Sequence, residues 1–279
     1  LLLDSGADIH AHDNEALRLA SENGYLEMVI SLLDRGADIH AMNDYALRYA
    51  SYNGHFEVVS LLLDRGADIH ATDAFDHAAL YYASVNRHLD VVRLLLDHGA
   101  DIHAGNDSVL RHASENGDLE VVRLLLDRGA DIHVKDDYAL YRASENGHLE
   151  VVRLLLDRGA DIHANNDIAL RYASGDGYLE VVGLLLDSGA DIHAMDDYAL
   201  RITSYNGHLE VVRLLLERGA DVMCLNVADD VFYDQEYGDY SIIQLLVAYG
   251  ADPSGLPENV INHALGLNDT KPASCIPFS

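Results

Sequence analysis

The tripeptide Gly-Ala-Asp recurs down the chain with its glycine at positions 6, 36, 66, 99, 129, 159, 189, 219 and 250. The intervals are 30, 30, 33, 30, 30, 30, 30 and 31 residues. A constant period of this length is the mark of a solenoid, in which one small unit cannot bury its apolar face alone and must stack on its neighbours. The unit "NDYALRYASYNGHFEVVSLLLDRGADIH" (43–70) splits into two short helical patterns, separated by "NGH" and closed by "RGAD". Asp44 stands where its carboxylate would cap the first helix, and Asp137, Asp167 and Asp197 recur in register. Ala46, Leu47 and Ala50 line one side of that helix, and Gly54 supplies the left-handed residue that ends it. Phe56, Val58, Val59, Leu62 and Leu63 give the second helix more apolar surface than one face holds, so neighbours are expected on both sides.

These residues carry a family resemblance. The string "NGHLEVVRLLLDRGADIHA" (146–164) is similar to the second half of an ankyrin repeat, and the likeness runs over residues 1–253. It implies an all-α solenoid of helix-turn-helix units with a concave groove, used for non-catalytic binding of a partner protein. The expected organisation is the end of an upstream repeat at 1–10, seven regular repeats over 11–223, a divergent closing repeat at 224–253, and a cap helix with a frayed tail at 254–279. The start at Leu1-Leu2-Leu3-Asp4, with no initiator Met, reads as the middle of a repeat and hence as a fragment. Two departures from the family stand out. Most units are three residues short in the hairpin before the first helix, which predicts stubby fingers. The family's Thr-Pro-Leu-His reads Tyr-Ala-Leu-Arg at 45–48 and 198–201, so other side chains must make the lost hydrogen bonds. The 30-residue dialect resembles the ankyrin families of giant amoeba viruses.

Every unit through 193 ends in a ladder histidine: His10, His40, His70, His103, His133, His163 and His193. Packed helices sit about 8–10 Å apart, whereas the ligands of one zinc lie about 2 Å from the metal, so successive histidines cannot share an ion. The expected role is to replace the family's Asn and fix the turn through backbone hydrogen bonds. Acidic residues number 47 against 18 Lys and Arg, a formal charge of −29. That field disfavours nucleic acid and anionic membrane, steers basic partners, and is expected to raise the affinity of the 16 histidines for protons. Charged residues cut the apolar runs well short of the roughly 20 residues that cross a bilayer. Two cysteines, Cys224 and Cys275, give no disulfide framework and fit a reducing intracellular compartment. No nucleotide loop, His-Glu-x-x-His or nucleophile elbow occurs, so neither enzyme activity, cofactor nor metal is expected.

In a solenoid the positions that break the pattern are free for recognition. Along the first helices, Arg48, Tyr81, Arg111, Tyr141 and Arg171 are expected to lie side by side as cation–π pairs. Just before the turn glycine the residue varies: Glu22, Tyr52, Val85, Glu115, Glu145, Gly175 and Tyr205. Two residues after each ladder histidine stand His12, Met42, Thr72, Gly105, Lys135, Asn165 and Met195. The unit 71–103 alone keeps 33 residues; its finger "TDAFDH" places Phe75 at the tip, and Arg87 replaces the turn glycine. The candidate partner contacts are therefore Phe75, Tyr52, Tyr205, Glu115, Glu145, Met42, Lys135, Met195 and Arg87. The resemblance implies a monomer that meets a host protein with a basic patch in the cytoplasm of a eukaryotic or infected cell. Two alternatives stay open: the substrate-reading arm of a ubiquitin-ligase adaptor whose F-box lies outside this fragment, and an enzyme hidden in the acidic stretch 229–240.

Overall fold

Each repeat is a pair of antiparallel helices because its apolar residues return at helical spacing and a glycine interrupts them. The computed structural model describes residues 8–231 and 240–266, and among these the secondary structure is entirely helical. The first helices are α1 (Ala11–Glu22), α3 (Ala41–Tyr52), α5 (Ala79–Val85), α7 (Ala104–Glu115), α9 (Val134–Glu145), α11 (Ala164–Gly175) and α13 (Ala194–Asn206). Their second helices are α2 (Leu26–Asp34), α4 (Phe56–Asp64), α6 (Leu89–Asp97), α8 (Leu119–Asp127), α10 (Leu149–Asp157), α12 (Leu179–Asp187) and α14 (Leu209–Glu217). After a 3₁₀ turn at Val222–Cys224 come α15 (Val227–Asp230), α16 (Ser241–Ala248) and α17 (Glu258–Ala264). The expectations for Leu1 to Leu3, for 232–239 of the acidic stretch and for the tail from Leu267 fall outside the described residues. Within the divergent closing repeat expected at 224–253, the described residues hold α15 and α16.

The chain divides into two compact units, residues 1–143 with 157–160 and residues 144–156 with 161–279. In the first, α1, α3, α5 and α7 pack in sequence order, as do α2, α4, α6 and α8 behind them. In the second, α11 packs on α13 and α13 on α15, with α12, α14 and α16 forming the other row and α17 against α16. One leucine from each first helix and one from each second helix make the core: Leu47 and Leu62 are at most 1 % exposed, and their counterparts Leu170 and Leu185 are the same. Ala46 and Ala50 are buried as expected. Phe56 is not: it is 37 % exposed, because Val58, Val59 and Leu62 already fill the inward face of α4.

The three missing residues are absorbed by a left-handed turn rather than a short hairpin. In α3, Met42, Asn43 and Asp44 all have positive φ (53°, 56° and 50°), and the right-handed helix starts after them. Left-handed backbone costs about 1–2 kcal/mol for a residue with a Cβ, so three in a row need compensation. It comes from Arg48, 5 % exposed, whose Nε donates to the Asn43 carbonyl (3.0 Å) and whose Nη2 donates to that of Met42 (3.0 Å). Arg18 and Arg171 clasp their own turns in the same way. In α9, which holds the same turn, Tyr141 stands at this position, and in α13 Arg201 instead faces Asp230 at 3.5 Å.

The expected helix cap is overturned. No side chain caps α3; the buried Asp44 carboxylate accepts the amide of Asp68 in the turn that closes its own repeat (2.8 Å) and Nδ1–H of His40, which closes the repeat before (3.1 Å). The left-handed turn aims that carboxylate at the two closing turns instead of back along its own helix. Asp68 in turn accepts the amide of His70 at 2.9 Å. The pattern repeats at His103–Asp107–Asp131, His163–Asp167–Asp191 and His193–Asp197–Asp221. His40, His103, His133, His163 and His193 thus fix the turn through a carboxylate, not through the hydrogen bonds to backbone expected of them.

Behind this relay runs a row of buried serines, Ser21, Ser51, Ser84, Ser114, Ser144, Ser174 and Ser204, each with a hydroxyl oxygen lacking a hydrogen-bond partner. The two kinds of buried polar group should respond oppositely to deletion. Asp44→Ala strands an amide and an imidazole and is expected to cost about 1–3 kcal/mol, whereas Ser51→Ala removes an unpaired hydroxyl and is expected to be neutral or stabilising by up to about 1 kcal/mol. Urea unfolding of the two variants checks this; equal destabilisation would refute the assignment.

Candidate functional site

A second set of rings sits on the turn glycines. Gly24 has φ +73°, and a Cβ there would lie 2.6 Å from Nδ1 of His55 in the next repeat. The ring comes that close because its Nε2–H donates to the Glu22 carbonyl at 2.9 Å, one of the carbonyls a helix end leaves unpaired. His88 does the same to Tyr52 across Gly54, and His208 packs on Gly177. The glycine is therefore required twice, for its backbone conformation and for the approach of the next repeat, and the second requirement was not foreseen.

This explains the irregular unit. Arg87 adopts the left-handed conformation expected of it, with φ +65°. A ring could not approach its Cβ, and the following repeat has Asp118 in place of the histidine. Arg87 Nε pairs with the Asp118 carboxylate at 2.7 Å, and its guanidinium also donates to the Asn116 carbonyl. Arg87 is 62 % exposed at the side chain yet ties two repeats together.

Among the described residues, the finger of this unit is the one place where a hairpin stands. Asp73 accepts the amides of Phe75 (2.8 Å) and His77 (2.9 Å) and the hydroxyl of Tyr82 (2.5 Å). Burial alone would raise the Asp73 carboxyl, but these donors outweigh it and hold it down to about 2. The same bond and burial push Tyr82 up to about 12, with burial the larger cause. Phe75 projects from the tip, 79 % exposed. Position 74 is alanine, so His70 has no carboxylate four residues on; it lines a cavity of about 500 Å³ with Thr72, Asp76, Asp101 and His103.

The other candidates divide into two groups. Tyr52 (42 %), Tyr205 (60 %), Met42 (52 %) and Met195 (53 %) are exposed, as is Lys135. Glu115 is half-buried, bound by Arg142 and 3.4 Å from Nδ1 of His112, while Glu145 is half-buried. Glu22, at the same position, accepts the Tyr45 hydroxyl at 3.2 Å. Glu22 and Glu115 thus hold repeats together. The cation–π pairs also differ from expectation. Arg18 and Arg48 lie over Tyr45 (5.1 and 5.9 Å), Arg111 and Arg142 over Tyr138 (5.5 and 5.7 Å), and Arg171 over Tyr198 (5.6 Å). The turn clasp holds Arg48 and Arg171 near the tyrosine that opens a first helix, and Tyr81 instead stacks on His77 at 3.9 Å. His112 departs from the predicted rise in proton affinity, since burial pushes its pKa down.

Among the described residues, no group of three or more His, Cys, Asp or Glu side chains is placed to hold a metal, and no helix is long and apolar enough to cross a membrane. Burial pushes the half-buried Cys224 thiol up to about 11, with Asp197 and Asp221 adding to the shift, so it is protonated at neutral pH.

Two outcomes follow from this geometry. Arg87→Gly and Asp118→His should each lower stability, while the double variant, which restores the glycine–ring contact, should recover most of the loss; a double-mutant cycle by urea unfolding measures it, and strict additivity would refute the coupling. Because the Asp73 carboxyl is depressed in the folded state, its contribution is complete above the ordinary carboxylate pKa of about 4 and is lost as the pH falls toward about 2. Asp73→Asn should therefore narrow its stability gap to the parent protein between pH 5 and 2 in acid unfolding.

Comparison with known proteins supplies the kinship. The family model described as "Ankyrin repeats (3 copies)" matches at residues 1–73, 47–136, 110–196 and 140–226. The human ASB11 ankyrin repeat domain, solved by crystallography, superposes with a TM-score of 0.65 at 25 % identity, covering 74 % of this chain and 98 % of that one. No curated protein matches. Ankyrin repeats generally mediate protein–protein interaction and are typically non-catalytic. On the extent of these matches, the chain belongs to the ankyrin-repeat family.

Proposed function

We propose that the chain is a non-catalytic scaffold that binds another protein through the exposed ends of its first helices and the turns before them. The observation that carries this reading is the split between two sets of side chains. Those in register with the repeat bind the next repeat, whereas Phe75, Tyr52 and Met42 in the first unit and Tyr205 and Met195 in the second are large apolar groups held in solvent. Exposed aromatics on a rigid support are the usual anchors of an interface. The formal charge of −29 supports a partner with a basic patch. The 30-residue period supports an origin among giant-virus ankyrin proteins, with a monomeric chain meeting a host protein inside an infected cell. Residues 224–253 and α17 are read as the closing repeat and its cap.

Affinity capture from a eukaryotic lysate tests the reading, with a Tyr52→Ala, Phe75→Ala, Tyr205→Ala triple variant alongside. Basic proteins should be retained by the parent chain, weakened by added salt, and lost from the triple variant. Retention of every captured protein by the triple variant refutes these contact residues.

A further inference from the structure

The aromatic side chains of the first unit form a connected strip. Phe75 at the finger tip lies 6.1 Å from the His77 ring, His77 lies 6.0 Å from Tyr82, and Tyr82 meets Tyr52 edge-on at 5.9 Å. The strip runs from the finger of the 33-residue unit across α5 to the end of α3. Elsewhere the chain lays its own arginines over tyrosine rings. Among the described residues, none lies over Tyr52, Tyr82 or Phe75.

The charges around the strip favour a cation. Asp73 sits beneath it and the exposed Asp76 beside Phe75. The nearby cations are engaged: Arg48 holds the carbonyls of Met42 and Asn43, and Arg111 lies over Tyr138. A ring face attracts a guanidinium more effectively than an ammonium, because the planar group stacks on it and is less strongly hydrated.

We propose that Phe75, His77, Tyr82 and Tyr52, with Asp73 and Asp76, form a docking site for an arginine-bearing segment of the partner protein. The proposal rests on the protein-binding reading above and gives it a location and a side chain. A guanidinium stacked on the Phe75 ring would have Asp76 as its counter-charge, and a second one would lie on Tyr52 at the other end of the strip.

Titration calorimetry with three acetylated peptides, triple repeats of Arg-Gly-Gly, Lys-Gly-Gly and Leu-Gly-Gly, tests it. The parent chain should bind the arginine peptide more tightly than the lysine peptide. Tyr52→Ala and Phe75→Leu should each weaken arginine binding by about two- to fivefold, the factor expected of one exposed cation–π contact, and lysine binding by less. Both side chains are exposed, and Phe75→Leu keeps apolar surface while removing the ring. Tyr249→Ala, an exposed tyrosine of the second unit outside the proposed contact surface, should bind as the parent does. Equal binding of arginine and lysine peptides, unmoved by the variants, overturns the site and leaves a basic partner intact. Tighter binding of the leucine peptide overturns it in favour of an apolar partner, and loss only in Tyr249→Ala overturns its location. Failure of both cationic peptides to bind overturns the site and the basic preference together.

Discussion

A carboxylate that is almost fully buried needs donors, and in this protein the donors come from both sides of a repeat boundary. Asp44 takes one hydrogen bond from the histidine of its own turn and one from the backbone of the next. A buried charge without partners would cost far more than a repeat of this size could offset. Neighbouring repeats must therefore meet in one register, and the left-handed turn that aims the carboxylate is held by the same constraint. The aspartate relay and the ring on the glycine are two answers to one requirement, that each repeat satisfy polar groups its neighbour leaves open, while the arginine clasp holds the turn within a repeat.

This arrangement separates frame from surface. Glu22 and Glu115 stand at a position where recognition was expected, yet they are committed to Tyr45 and Arg142. Tyr52 and Tyr205, at the equivalent place, are not confined in this way and stand in solvent. The same backbone position thus holds an internal strut in one repeat and a free aromatic in another, and only the neighbouring repeat decides which. Charge alone was a poor guide to contact, because acids in a repeat array are consumed by arginines one unit away.

What could be read from the sequence was what depends on period. Leu47, Ala50 and Val59 are buried because helical spacing leaves them no alternative. The left-handed conformation of Arg87 followed from the glycine it replaces. What could not be read was where a side chain points after a turn whose backbone has several solutions. Asp44 was placed as a helix cap because a right-handed start was assumed; three left-handed residues turned it outward. The ring above Gly24 was missed because the contact joins residues 31 apart, although the coincidence of Arg87 with Asp118 in place of glycine and histidine was a visible clue.

The bonds that cross a unit boundary recur in the same register from one repeat to the next. Duplicating or deleting a whole 30-residue unit would therefore leave each donor facing an equivalent acceptor, and such an array can change length by recombination without losing its fold. Arg87 and Asp118 are the exception. Because they lie on either side of a unit boundary and neither fits an ordinary neighbour, a crossover between them would strand both. The finger-bearing unit and the one after it are bound to be inherited together.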